Sequence, residues 1–180
     1  MGHVPYVVED DLEPEYQDLI TSSLQPGKRV NVYRAIGNNA AVLEGLRAFL
    51  GALWSESGVD AYRRELIILA ISREYDSAYE WHQHVGVASE AGVTKDEIDA
   101  IADRDHEAFD EDVKRMFAYA LAVARGEVDE EAHADIAELY DDSTVVGIAA
   151  LAGGYAMLAQ LIDALGVETE SEFVGWNPRS

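Results

Sequence analysis

The chain contains no cysteine. A disulfide frame, a thiol nucleophile and a thiolate metal site are therefore all excluded. Lysine is nearly absent as well, with Lys28, Lys95 and Lys114 the only three beside ten arginines. Against these 13 basic residues stand 35 aspartates and glutamates, a formal net charge of −22. A surface of that sign repels phosphate backbones and anionic headgroups, which excludes nucleic acid and the membrane surface as expected partners. The opening MGHVPYVVEDD has neither a cationic n-region nor an apolar h-region, so no signal peptide is expected and the expected compartment is the cytoplasm.

What is present is a folded composition. A hydrophobic content of 48% over 180 residues separates the chain from disordered acidic sequences and suits one compact domain. A folded, acidic, lysine-poor protein fits a halophilic, salt-rich cytoplasm. At molar salt the Debye length is about 3 Å, so the self-repulsion of the fold is screened. One uncharged run, Val145 to Ile162, has roughly the length of a membrane span. It is rich in Ala and Gly, contains Gln160 and is flanked by Asp141, Asp142 and Asp163 without Lys or Arg, so a buried core helix is expected instead.

Residues 1–28 read as an irregular segment punctuated by Pro5, Pro14 and Pro26, residues 29–170 as the helical domain, and 171–180 as a tail. Within the domain the apolar period is helical almost throughout. Val42, Leu43, Leu46, Phe49, Leu50 and Leu53 recur at spacings of three and four. Gly58 ends that helix, and Asp60 caps the next, which runs from Tyr62 to about Arg73. Ser77-x-x-Glu80 and Thr94-x-x-Glu97 form two capping boxes, the first opening a helix to about Ala91 ahead of Gly92. Further helices are expected up to Gly126, over 132–140 and over 144–164. No segment alternates as a strand. The expected fold class is all-α, a single-domain bundle of about six to eight helices.

His3 lies in the terminal segment, and His106 and His133 fall in acidic surroundings that predict exposure. His84 differs through its neighbours. Glu80 lies one turn before it on the same helix face, and Trp81 can wall the site. On the preceding helix, Glu65 opens the apolar run Leu66 to Ile71. A carboxylate against an apolar wall has its pKa pushed up, which suits general acid or base work. If helices 62–73 and 77–91 form an antiparallel hairpin, Glu65 and His84 approach each other. A metal site on Glu80 and His84 lacks a third ligand, so no metal is expected. Arg34, Arg63, Arg64 and Arg73 are candidates for gripping a substrate carboxylate, because Arg offers a bidentate fork. Glu65 as an Arg-paired structural carboxylate, His84 as a satisfied core histidine and Glu80 as a capping residue are the structural alternatives.

The run Arg64-Glu65-Leu66-Ile67-Ile68-Leu69, then Tyr79-Glu80-Trp81-x-x-His84, then Ala91-Gly92-Val93-Thr94 resembles the carboxymuconolactone decarboxylase family, which includes the alkyl hydroperoxidase D-like proteins. The likeness spans roughly residues 30–170. It implies a helical bundle of the alkyl hydroperoxidase D-like type that assembles as a homo-oligomer, a trimer or hexamer. In the peroxidase (peroxiredoxin-type) branch a Glu and a His relay protons to a Cys-x-x-Cys pair. Glu65 and His84 match the relay positions, but Ser77 and Glu80 occupy the two cysteine positions, so no dithiol cycle can run. The resemblance then implies a cofactor-free lyase acting on a small unsaturated lactone or carboxylic acid. His84, Glu65 and Glu80 are its expected acid/base residues, and Trp81, Arg64 and Arg34 its expected substrate-binding residues. The alternatives are peroxidase-like activity with an external thiol, and a non-enzymatic ligand-binding or assembly protein on the same fold. An Arg facing the His84 cavity favours the lyase; a sealed apolar pocket favours the binding protein.

Overall fold

A computed structural model describes residues 2–21 and 28–170. Eight α-helices follow one another in this part of the chain: α1 (Asn31–Ile36), α2 (Ala40–Glu56), α3 (Ala61–Glu74), α4 (Ala78–Glu90), α5 (Lys95–Ala102), α6 (Glu111–Arg125), α7 (Glu130–Leu139) and α8 (Asp142–Leu165). Short 3-10 turns at Glu9–Asp11, Pro14–Ile20 and His106–Ala108 complete the architecture, with no strand among the described residues. The fold is all-α. The expected 171–180 tail lies outside the described residues.

Seven of these helices begin at a side-chain cap that accepts from the third helical N–H: Asn39, Asp60, Ser77, Thr94, Asp110, Asp129 and Asp141. Four of the seven are aspartates, so part of the acidic excess sits where the helix dipole favours it. Asp129 and Asp141 also explain why the last two helices start two residues earlier than their apolar periods predict. Gly58, Gly92, Gly126 and Gly166 all take positive φ just past helix ends, where a side chain would be strained.

Helices α3 and α8 form the centre. Every residue from Arg64 to Ser72 on α3 is buried, and α8 lies along α3 and α6. Each fully buried Leu or Ile contributes roughly 1.5–3 kcal/mol before entropy is counted. Helix α8 is long and apolar enough to cross a membrane, but Ile148, Leu151, Ala152 and Tyr155 are packed in the protein core. A second apolar cluster joins Val7 and Ile20 to α1, α2 and the end of α8 through Val32, Leu43, Leu46, Leu158 and Ile162. The candidate site lies where these two clusters meet.

Away from it, α3, α5 and α6 bring their C-terminal ends together, and arginines satisfy them. Arg73 donates to the Ala102 carbonyl at 2.6 Å, Arg104 to the Arg73 carbonyl at 3.0 Å, and Arg125 grips Glu74 at 2.7 and 2.8 Å. His106 departs from its expected exposure. It is half-buried with its ring 4.9 Å from Phe117, because the 3-10 turn folds it onto α6, and burial together with Arg125 pushes its pKa down.

Candidate active site

The α3–α4 connection is only three residues long, and Asp76 takes a left-handed φ of 51° to make it. The two helices therefore pack as a tight hairpin. Glu65 on α3 and His84 on α4 meet inside it, with His84 Nδ1 2.9 Å from Glu65 Oε2. Both side chains are buried. The carboxylate accepts from Nδ1–H, which orients the imidazole and leaves Nε2 as its basic edge. Behind Glu65, Arg64 Nε lies 3.3 Å from Oε1. Arg64 is itself held by the Trp54 carbonyl at 3.0 Å and by the Trp54 ring, 3.7 Å below its guanidinium. The order Arg64–Glu65–His84 supplies a countercharge for the buried carboxylate and fixes the histidine against rotation.

His84 opens onto a cavity of about 290 Å³, at the small end of the range for small-molecule sites. The ring of Trp54 lies 6.2 Å from the His84 ring, and Tyr155 meets it edge-on at 5.2 Å. Tyr33, Tyr79, Leu50 and Leu158 line other parts of the wall. Among the described lining residues, the polar groups besides His84 and the tyrosines are Glu80, Gln83 and Arg47.

Glu80 is the unusual one. It is 2% exposed, and neither carboxyl oxygen has a hydrogen-bond partner among the described residues. Burial pushes its pKa well above the usual carboxylate range; the nearby Ser77 hydroxyl opposes the rise without making a hydrogen bond of good geometry to either oxygen. The folded state therefore holds this proton more tightly than the unfolded chain. Its contribution to stability is full below the ordinary glutamate pKa and declines as the pH climbs through the raised value. The Ser77-x-x-Glu80 capping box is thus only half formed. Ser77 caps the Glu80 N–H at 3.4 Å, but the Glu80 carboxyl stays with the cavity instead of turning back. Thr94 and Glu97 form the complete box, with Glu97 reaching the Thr94 N–H at 2.8 Å.

At the rim, Glu170 fastens the chain beyond α8 to the site. Its carboxylate accepts from the Asn31 N–H at 2.6 Å, the Tyr79 hydroxyl at 2.5 Å and Gln83 Nε2 at 2.6 Å. It thereby stands in for the side-chain cap that α1 lacks.

Residues 40–126 match the Carboxymuconolactone decarboxylase family. That match covers just under half of the chain and runs from α2 to the end of α6, through the Glu65–His84 hairpin, and over it the chain is similar to this family. The fold agrees with solved structures. A peroxidase-related protein with an alkylhydroperoxidase AhpD core from Ralstonia eutropha JMP134 superposes with a TM-score of 0.83 at 20% identity, over 96% of this chain and 94% of that one. A peroxidase-related protein from Silicibacter sp. TM1040 gives 0.79 at 18% identity, over 96% and 92%. The debrominase Bmp8, in complex with 2,3,4-tribromopyrrole, gives 0.79 at 17% identity, over 98% and 93%. No curated protein sequence matches the chain.

Of the expected site residues, the hairpin brings Glu65, Glu80 and His84 to one place. The expected substrate contacts are distributed differently. Trp81 is 1% exposed and packs in the core, off the cavity, because it sits one step past the helix stripe of Tyr79, Glu80, Gln83 and His84. Trp54 on α2 is the wall. Arg64 lies behind Glu65 and outside the lining. Arg34 is not among the lining residues and holds the N-terminal segment, donating to the Val7 carbonyl at 3.0 Å, Asn31 Oδ1 at 3.1 Å and the Tyr6 carbonyl at 3.3 Å. Arg63 is taken by Asp60, and Arg73 by Asp76 and Ala102. Arg47, which sequence reasoning missed, is the arginine that lines the cavity.

Proposed function

We propose that the chain is a cofactor-free acid/base enzyme that decarboxylates a small unsaturated lactone acid. One observation carries the reading: a buried carboxyl with no hydrogen-bond partner among the described residues, Glu80, shares a cavity with a histidine oriented by Glu65. A protonated carboxyl is a proton donor at neutral pH, and a paired histidine is the group to restore that proton. The C–CO₂ bond of the substrate carboxylate breaks, and its electron pair moves into the conjugated lactone carbonyl. The resulting dienolate carbon takes the proton from Glu80, and CO₂ leaves. Glu80 is then reprotonated from solvent by way of His84. The net change is loss of CO₂ and uptake of one proton. Removing a carboxylate from water into the Trp54 and Tyr155 end of the cavity favours its conversion to neutral CO₂.

The absence of cysteine speaks against the dithiol peroxidase of the same family. An arginine in the cavity favours an anionic substrate over a purely apolar ligand. The reading extends to assembly. Val42 and Phe49 on α2 and Val146 and Met157 on α8 are exposed in an otherwise acidic chain, which suits a homo-oligomer.

The test is turnover of 4-carboxymuconolactone by purified protein in molar potassium chloride, followed by CO₂ release, with Glu80→Gln assayed beside it. The wild type is expected to turn over, and the folded variant to lose about 10²–10⁴-fold. A folded wild type without CO₂ release, or a fully active Glu80→Gln, overturns the proposal.

A further inference from the structure

We propose that Arg47 is the anchor for a substrate carboxylate that the reaction retains, which makes the substrate class a small molecule with a second acid group at the end remote from the carbon that is protonated. This deepens the function proposed above and rests on it only for which end reacts.

The first support is a missing counter-ion. Arg29, Arg63, Arg64, Arg73, Arg104, Arg115 and Arg125 each pair with a carboxylate. Among the described arginines, only Arg34 and Arg47 have no such partner. Arg34 spends its guanidinium on two backbone carbonyls and Asn31. Arg47 uses Nη1 alone, for the Leu19 carbonyl at 2.9 Å and the Thr21 carbonyl. Its Nε and Nη2 edge makes no hydrogen bond among the described residues. That side-on edge is the one that receives a carboxylate through two parallel bonds. In a chain with 35 acidic residues, a cavity-lining arginine that pairs with none of the described ones marks a place for an anion from outside.

The second support is placement. Arg47, Leu50, Gly51 and Trp54 line the cavity from one face of α2. Seven residues separate Arg47 from Trp54, a rise of about 10 Å along the helix. Trp54 lies beside His84, whereas Arg47 stacks over Tyr33, 4.6 Å from the ring centroid. The cavity therefore has a cationic end and an acid/base end, with aromatic side chains along it. The Nη1 bonds and the Tyr33 ring fix the guanidinium in advance, so little ordering remains to be done when an acid binds. The same separation removes a conflict in the charge balance. A strongly anionic protein repels an anionic substrate at long range, but molar salt screens that field, and Arg47 acts at contact distance.

Phenylacetate and phenylacetamide, equal in size and differing in charge, serve as probes by calorimetry in molar potassium chloride. The wild type is expected to bind the acid at least about tenfold more tightly than the amide. Arg47→Gln is expected to erase that preference while leaving amide affinity unchanged. Arg47→Lys keeps a cation but loses the fork, so part of the preference survives. The lysine variant also serves if the glutamine variant fails to fold. Equal binding of acid and amide by the wild type, binding of neither, or an undiminished preference in a folded Arg47→Gln overturns the proposal. No turnover enters this test. A preference for the acid without decarboxylation keeps the anchor and sinks the lyase, and decarboxylation without the preference does the reverse.

Discussion

Glu65→Ala is expected to remove activity and stability together. The substitution leaves the Arg64 guanidinium and the His84 ring buried at 8% and 5% exposure without the carboxylate between them. Breaking a buried pair from one side costs about 3–5 kcal/mol, because the remaining charge keeps its desolvation penalty. His84 also loses the acceptor that fixes its tautomer, so turnover is expected to fall by about 10²–10⁴-fold. Glu65→Gln separates the two effects. It preserves side-chain volume and an acceptor oxygen but not the countercharge, so it is expected to melt at a temperature between those of the wild type and Glu65→Ala. Melting curves and CO₂ release measured on all three proteins check this. An unchanged melting temperature in Glu65→Ala contradicts the buried Arg64–Glu65–His84 chain.

Gly147→Ala is expected to be the most damaging substitution outside the site. A Cβ there would lie 2.0 Å from the Ser57 carbonyl oxygen and 2.6 Å from its carbon, and backbone cannot swing aside as a long side chain does. The contact is the one that seats α8 against the end of α2, whose Trp54 walls the cavity. Overpacking of this kind costs about 3 kcal/mol, or about 6–12 °C of melting temperature in a chain of this size. Gly153→Ala on the same helix is the control. Its Cβ meets nothing within 4 Å, so the gain in helix propensity should leave it as stable as the wild type or slightly more so. Equal melting temperatures for the two variants contradict the close α2–α8 approach.

Local rules carried much of this fold. The Asp and Thr caps, the glycines at helix ends and the three- and four-residue periods are all short-range signals, and they mark the observed helices to within about two residues. The pairing of Glu65 with His84 was legible because a three-residue connection leaves two helices little choice but to lie side by side. The cavity's other contributors were not. Trp81 reads as the wall because it adjoins Glu80 in sequence, whereas Trp54 takes that place only when α2 is laid across the hairpin, through contacts distant in sequence. Arg47 was hidden for the same reason. It neighbours Leu43, Leu46 and Leu50 on an amphipathic helix and reads as an ordinary boundary arginine. Its meaning comes from what is missing around it, and only the folded chain shows a missing partner. Glu80 is an acid/base candidate in the sequence and equally a capping-box glutamate three residues after Ser77, and only the fold shows that its carboxyl faces the cavity instead of turning back.

The most direct test of the account is the infrared spectrum of the carboxyl groups, compared between the wild type and Glu80→Gln near neutral pH. The expected difference is a protonated-acid carbonyl band that is present in the wild type and absent from the variant. It should convert to carboxylate bands only when the pH is raised well above the ordinary glutamate range. A wild-type spectrum with carboxylate bands alone at neutral pH would contradict the account, because the cavity would then hold no proton for the carbon to receive.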